Sequence, residues 1–206
     1  MSQGRVTQAS KAIRQTPSMD LLAEIGRARR ELPQSHRALL DQLHVQDAVV
    51  DDWPDGVIDL YTTLRERPPD RSLVANAAAV WLQERSTVAF NAPLLRAVVH
   101  GLNESSMRAM IHPLVWHEYG HALSLMRATA DHRVSGPYLV GLLPDGLRPA
   151  VIAGGYARLE IFDELVATLY ALMIGRIRDC GYGAPDFLHS SVFAAFQEVI
   201  PWPPTQ

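Results

Sequence analysis

His117, Glu118 and His121 stand in the order H-E-x-x-H within PLVWHEYGHALSL (113–125). Histidines four positions apart on a helix project from one face, one turn apart. That spacing lets both imidazoles reach a single ion at about 2.0–2.1 Å. A glutamate directly after the first histidine lies beside the pair. From there it can take a proton from a water activated by the metal and carry it to a leaving amine. The chemistry these types and this order suit is metal-assisted hydrolysis of a peptide bond. His117 and His121 are then metal ligands and Glu118 the general base. The competing reading is three polar residues on a packed helix. Gly120 inside the motif costs a helix roughly 0.8–1.0 kcal/mol relative to alanine. Its presence points to close approach of a neighbouring helix, with Trp116 and Tyr119 as packing residues.

A catalytic zinc ordinarily has three protein ligands. The pattern H-E-x-x-H-x-x-G-x-x-H needs glycine at 124 and histidine at 127, but the chain has Ser124 and Arg127, so that ligand set is excluded. His132 is a candidate just beyond the helix. Glu164, in ELVATLYA (164–171), is the better one, because the surrounding sequence reads as a strong helix that would hold a carboxylate rigidly. Thr168, one turn on, suits a hydrogen bond that orients a ligand histidine. Glu160, one turn earlier, is the alternative ligand or another acceptor for such a bond. For both carboxylates the competing reading is a solvated helix face.

On these residues the chain resembles the gluzincin metallopeptidases, whose zinc site joins H-E-x-x-H to a glutamate on a later helix. Their second motif often reads E-x-x-A-D-x-x-A. Glu164, Ala167 and Ala171 match it, and Thr168 stands where aspartate is usual. The short chain is similar to minimal versions of that fold, the ImmA/IrrE-like peptidases, over about residues 73 to 180. The resemblance implies Zn2+ held by His117, His121 and Glu164. It also implies a small sheet before the active-site helix, with an edge strand that takes an extended peptide by strand addition. STVAFNAP (86–93) is the candidate edge, with an ordinary internal strand as the competing reading. The oxyanion stabiliser implied by the family has three candidates, Tyr156, His132 and Tyr138. A non-catalytic zincin-fold binding or regulatory protein is the alternative function, kept open by Thr168.

The elements needed to position these groups are legible in part. Helices are expected over PSMDLLAEIGRARREL, with Ser18 as cap and Pro33 as stop, then QSHRALLDQLHVQ and GVIDLYTTLRER. DDWPDG (51–56) is turn chemistry. SLVANAAAVWLQERSTVAFN reads as a hairpin, Leu73–Leu82 with Thr87–Asn91, although its alanines favour helix. APLLRAVVHGL is a short helix closed by Gly101. In the motif segment Asn103 and Ser105 are cap candidates, Pro113 kinks or restarts the helix, and Leu114 to Met126 is helical. YARLEIFDELVATLYALMIGRIRD is a further helix, after a Gly/Pro-rich stretch over 130–156.

The expected fold is one mostly helical α+β domain over 1–206, zincin-like. It comprises an N-terminal helical segment (1–70), a metallopeptidase core (73–180) and a C-terminal helix and tail (181–206). A net charge of −3 gives no electrostatic reason to expect nucleic acid, so the expected partner is a peptide or protein substrate. Arg27, Arg29 and Arg30 read as a solvated helix face. The single cysteine, Cys180, can build neither a disulfide nor a Cys-rich metal cluster. With no apolar run suited to a signal peptide or a membrane span, a cytoplasmic location is expected.

Overall fold

The computed structural model describes residues 20–62, 71–125, 166–175 and 200. The first helix, α1 (Leu21–Arg30), starts at Asp20, whose carboxylate accepts the Ala23 N–H at 3.2 Å. Asp20 therefore supplies the cap, and Ser18 lies outside the described residues. Leu21, Ile25 and Ala28 form a buried stripe, each about one turn from the next. Pro33 stands between this helix and α2 (Gln34–Gln42), which it precedes as N-cap.

The sequence reading carries the second helix through to Gln46. The chain instead leaves α2 at Leu43, turns through His44 in the left-handed region (φ 54°) and enters β1 (Gln46–Val50). Five residues with an aspartate among them carry too little alternation to mark a strand.

Helices α3 (Asp55–Thr62) and α4 (Arg71–Asn76) follow. The hairpin forms, but its first strand, β2 (Ala79–Leu82), is shorter than the expected Leu73–Leu82. Residues 71–76 are helical, in line with the helix preference of the alanines nearby. A 3-10 turn (Gln83–Arg85) leads to β3 (Thr87–Asn91).

Among the described residues the sheet has three strands in the order β1-β3-β2, with β1 parallel and β2 antiparallel to β3. The expectation that 86–93 forms a free edge is therefore overturned: β3 is paired on both sides. The reason is β1, the strand missing from the sequence reading, which takes the side that would otherwise be open. Among the described residues the two edges are β1 and β2.

Alternation gives the sheet two faces. Val49, Ala79, Trp81, Val88 and Phe90 face the main core, shared with α1 and the helices beyond β3. Val50, Val80, Leu82 and Ala89 face a smaller cluster with Trp53, Val57 and Val74.

Asn91 joins β3 to α5 (Ala92–Val99). Its Oδ1 accepts the Leu94 N–H at 3.0 Å, and its Nδ2 donates to the Ala77 carbonyl at 3.0 Å. Gly101 closes the turn after α5 at φ +77°, a conformation that favours glycine. Asn103 then caps α6 (Glu104–Leu125), accepting the Ser106 N–H at 2.9 Å.

Pro113 neither stops nor restarts α6; the helix runs through it. Proline leaves the carbonyl four residues earlier, that of Ala109, without its helical partner. Ala109 and Pro113 are both exposed, so water can serve that carbonyl. Residues 166–175 are helical and form α7. Val166, Leu169, Tyr170, Met173 and Ile174 are buried, a continuous apolar stripe at helical spacing. The molecule is thus α+β, mostly helical, with a small mixed sheet preceding α6. Among the described residues no helix is long and apolar enough to cross a membrane.

Candidate metal centre

Helix α6 lies across the main-core face of the sheet over β2, while α1 covers β1 and packs along α6. Ile111, Val115 and Ala122 form the stripe of α6 that is turned inward. Residues advance by about 100° around a helix, so Glu118 and Tyr119 fall on opposite flanks of that stripe. Tyr119 reaches β1: its hydroxyl donates to Asp47, with both carboxylate oxygens at 2.9 Å. Glu118 therefore sits on the β2 flank, where it is 5% exposed. His117 and His121 lie one step further around and are half-buried.

The two imidazoles converge. Their Nε2 atoms are 3.1 Å apart, with ring planes inclined at 84°. Two nitrogens that each bind one tetrahedral ion at about 2.0–2.1 Å stand roughly 3.3–3.4 Å from each other. The pair is within a few tenths of an ångström of that spacing. The same distance also suits a direct N–H···N bond between a neutral donor and acceptor. Among the described residues no group of three or more His, Cys, Asp or Glu side chains converges as a metal set. The third ligand expected from sequence, Glu164, and its alternative, Glu160, lie outside the described residues. So do His132, Tyr138 and Tyr156. Thr168 is described and exposed.

Gly120 meets the close neighbour that its cost implied. A Cβ added there would stand 2.7 Å from the Ala167 Cα, 3.2 Å from the Ala167 carbonyl oxygen and 3.1 Å from the Tyr170 Cβ. Backbone of α7 thus rests directly on the motif, and Ala167 is three residues after Glu164 in sequence. Gly120→Ala should force the two helices apart. Overpacking of this kind costs about 1–3 kcal/mol, and the gain in helix propensity offsets at most ~1 kcal/mol of it. Urea denaturation should show a lower midpoint, and an unchanged or raised midpoint would contradict this contact.

Three further contacts hold α6 in place. Trp116, 1% exposed, donates its indole N–H to the Ala28 carbonyl of α1 at 3.0 Å. Arg29 bonds Asp47 at 3.2 Å and the Val45 carbonyl at 3.0 Å, and its guanidinium lies 5.6 Å from the centre of the Tyr119 ring. Arg29 is therefore turned inward, unlike a solvated face. Burial, then the Asp47 charge, raises the Tyr119 hydroxyl far above its ordinary value and keeps it a donor. Burial also raises the Asp47 carboxyl, against the opposing pull of Tyr119 and Arg29. Tyr170, fully buried on α7, lies 3.0 Å from the His36 Nδ1 of α2, and burial likewise pushes its hydroxyl upward.

The third contact is a buried ionic cluster one turn and a half before the motif. His112, 1% exposed, has Nε2 2.8 Å from Glu24 and Nδ1 2.8 Å from Glu31. Glu24 also pairs with Arg27 at 2.6 Å, and the Arg108 Nε lies 3.4 Å away. Burial alone would raise the Glu24 carboxyl. The hydrogen bonds from His112 and Arg27 outweigh it and leave the carboxyl below its ordinary value.

The sequence reading passed over this cluster. A signal was present: Glu24 sits between Leu21, Ile25 and Ala28 on what is otherwise an apolar stripe, and a carboxylate there needs partners.

The side of β2 turned away from β3 is the remaining feature. The Asn91 N–H donates to the Ala78 carbonyl at 2.9 Å, which fixes residues 78, 80 and 82 as those bonded inward to β3. Ala79 and Trp81 then direct their backbone N–H and C=O groups outward. Among the described residues no strand pairs with that side.

Comparison with known proteins finds no match: no family model fits the chain, and no curated protein and no solved structure is significantly similar to it.

Proposed function

We propose that this chain is a zinc-dependent metallopeptidase of the gluzincin type. The observation that carries the reading is the convergence of the His117 and His121 Nε2 atoms, with Glu118 following directly in sequence on the β2 flank. His117 and His121 hold the metal, and Glu164 is the third ligand, drawn from sequence and from the contact of α7 with Gly120. When bound, zinc supplies a Lewis acid that brings the pKa of a water to about 7.

Glu118 would act as the general base, taking a proton from the attacking water and passing it to the leaving nitrogen as the C–N bond breaks. It is 5% exposed, so bulk water has little access to the carboxylate in that role. The Asp47–Tyr119 bond and the Gly120–Ala167 contact fix the rotation of α6, so that the two rings and the carboxylate keep their directions. An extended peptide adds as a strand to the open side of β2, with Ala79 and Trp81 as its backbone partners. That corrected edge replaces the 86–93 edge of the sequence reading.

The alternative, a non-catalytic zincin-fold protein, keeps the metal but hydrolyses nothing. A helix whose histidines merely pack keeps neither. The test is metal content: one zinc per chain, lost when His117 or His121 is replaced by alanine. Absence of zinc from the native protein would end the reading.

A further inference from the structure

Gly120 and Ala167 bring α6 and α7 together. Two such small residues set a distance but do little to resist a turn of one helix about its axis or a slide along the other. Slippage by one residue would carry every side chain about 100° around and 1.5 Å along. A directional bond removes that freedom. Tyr170 supplies one. It lies three residues after Ala167, on the same side of α7, and its Cβ is 3.1 Å from a Cβ added at Gly120. The far end of its side chain leaves the motif and reaches α2, where the hydroxyl stands 3.0 Å from the His36 Nδ1. The two ring centres are 5.5 Å apart, with planes inclined at 42°.

Both residues are buried. A hydroxyl and an imidazole nitrogen held away from water each need a partner, and each is here a partner of the other. A turn or slide of α7 would part them and leave both polar atoms in apolar surroundings. Helix α2 in turn packs against α6. It is therefore a common reference. It rests on the helix that carries His117 and His121, and it holds the helix that follows Glu164 in sequence.

We infer that His36 and Tyr170 are positioning residues of the proposed zinc site: their bond sets the rotation of α7 against α6, and with it the placing of Glu164. The inference rests on the metallopeptidase reading with Glu164 as a ligand. It deepens that reading by giving the N-terminal helical segment a part in the metal site. Both residues act through α7 and not on the metal itself.

The full chain is tested with zinc, by competition with a chromophoric chelator, and with cobalt, whose visible absorption reports the arrangement of its ligands. Tyr170→Phe removes only the hydroxyl. It should weaken zinc binding about fivefold, the factor that one ordinary hydrogen bond corresponds to, and alter the cobalt spectrum. His36→Ala should do the same. His36→Asn, whose amide can stand where the Nδ1 does, should restore both readouts. Trp53→Phe is the control, because it removes an indole N–H bonded to the Val74 carbonyl at 2.8 Å, in the smaller cluster on the other face of the sheet. It should lower the unfolding midpoint and leave both metal readouts unchanged. Native metal readouts in Tyr170→Phe would overturn the inference and leave the zinc reading standing. So would equal losses in Trp53→Phe, since the effect would then be general destabilisation. Should Tyr170→Phe not fold, the His36 pair decides: equal readouts in His36→Ala and His36→Asn overturn the inference. A native chain that binds neither metal would remove the zinc reading and this inference together.

Discussion

Glu118→Gln is expected to keep its zinc and lose hydrolysis by about 10²–10⁴-fold in kcat/KM, the usual range for a positioned general base. Glutamine has the shape of glutamate, so a site 5% exposed can take it without a cavity. It cannot accept a proton at neutral pH. In the proposed site the metal is held by His117 and His121, whose rings lie further around the helix, so metal content should not follow activity. That separation gives the prediction its force. Loss of zinc together with activity would show that Glu118 has a structural part in the site. Hydrolysis of a peptide substrate at the native rate would show that another group is the base.

Glu24→Ala is expected to cost about 3 kcal/mol of stability, the largest effect foreseen outside the motif. Its carboxylate is buried between His112, Arg27 and Arg108, and removing it takes the ion pair from Arg27 and leaves the buried His112 Nε2 without its partner. Breaking a fully buried pair costs about 3–5 kcal/mol. The lower end applies because the Arg27 and Arg108 side chains are 44% and 41% exposed and can turn to water.

The pH dependence follows from the lowered Glu24 carboxyl. A group whose folded value is lower than its unfolded one adds stability that is complete above the unfolded value. That stability drains away as pH falls through the folded value. Native stability should therefore fall below the ordinary 4.5, and the Glu24→Ala variant should fall less steeply over the same window. Thermal unfolding from pH 6 to pH 3 measures both slopes, and parallel slopes would contradict the cluster.

Much of the motif was legible because it obeys local rules. The four-residue histidine spacing states the ring face, and the cost of glycine in a helix foretold the α7 contact at Gly120. Trp116 and Tyr119 pack as expected, both essentially inaccessible, though each also uses its polar atom. What escaped depends on partners distant in sequence. Strand β1 contains Asp47, and nothing local says that this aspartate will be matched by Tyr119, 72 residues on, and by Arg29. Missing β1 then misplaced the sheet edge, because a strand's neighbours are decided by the whole topology and not by its own residues. The His112 cluster joins α1 to α6 across 81 and 88 residues and was invisible for the same reason.

The most direct test is zinc per chain, measured by mass spectrometry on protein purified without a metal-affinity tag. The native chain should be compared with His117→Ala, Glu164→Ala and Glu160→Ala. One zinc is expected in the native chain. It should be lost in His117→Ala and Glu164→Ala and kept in Glu160→Ala. A native chain that holds no zinc even after the metal is added back would contradict the account and leave the paired histidines as packing residues of α6.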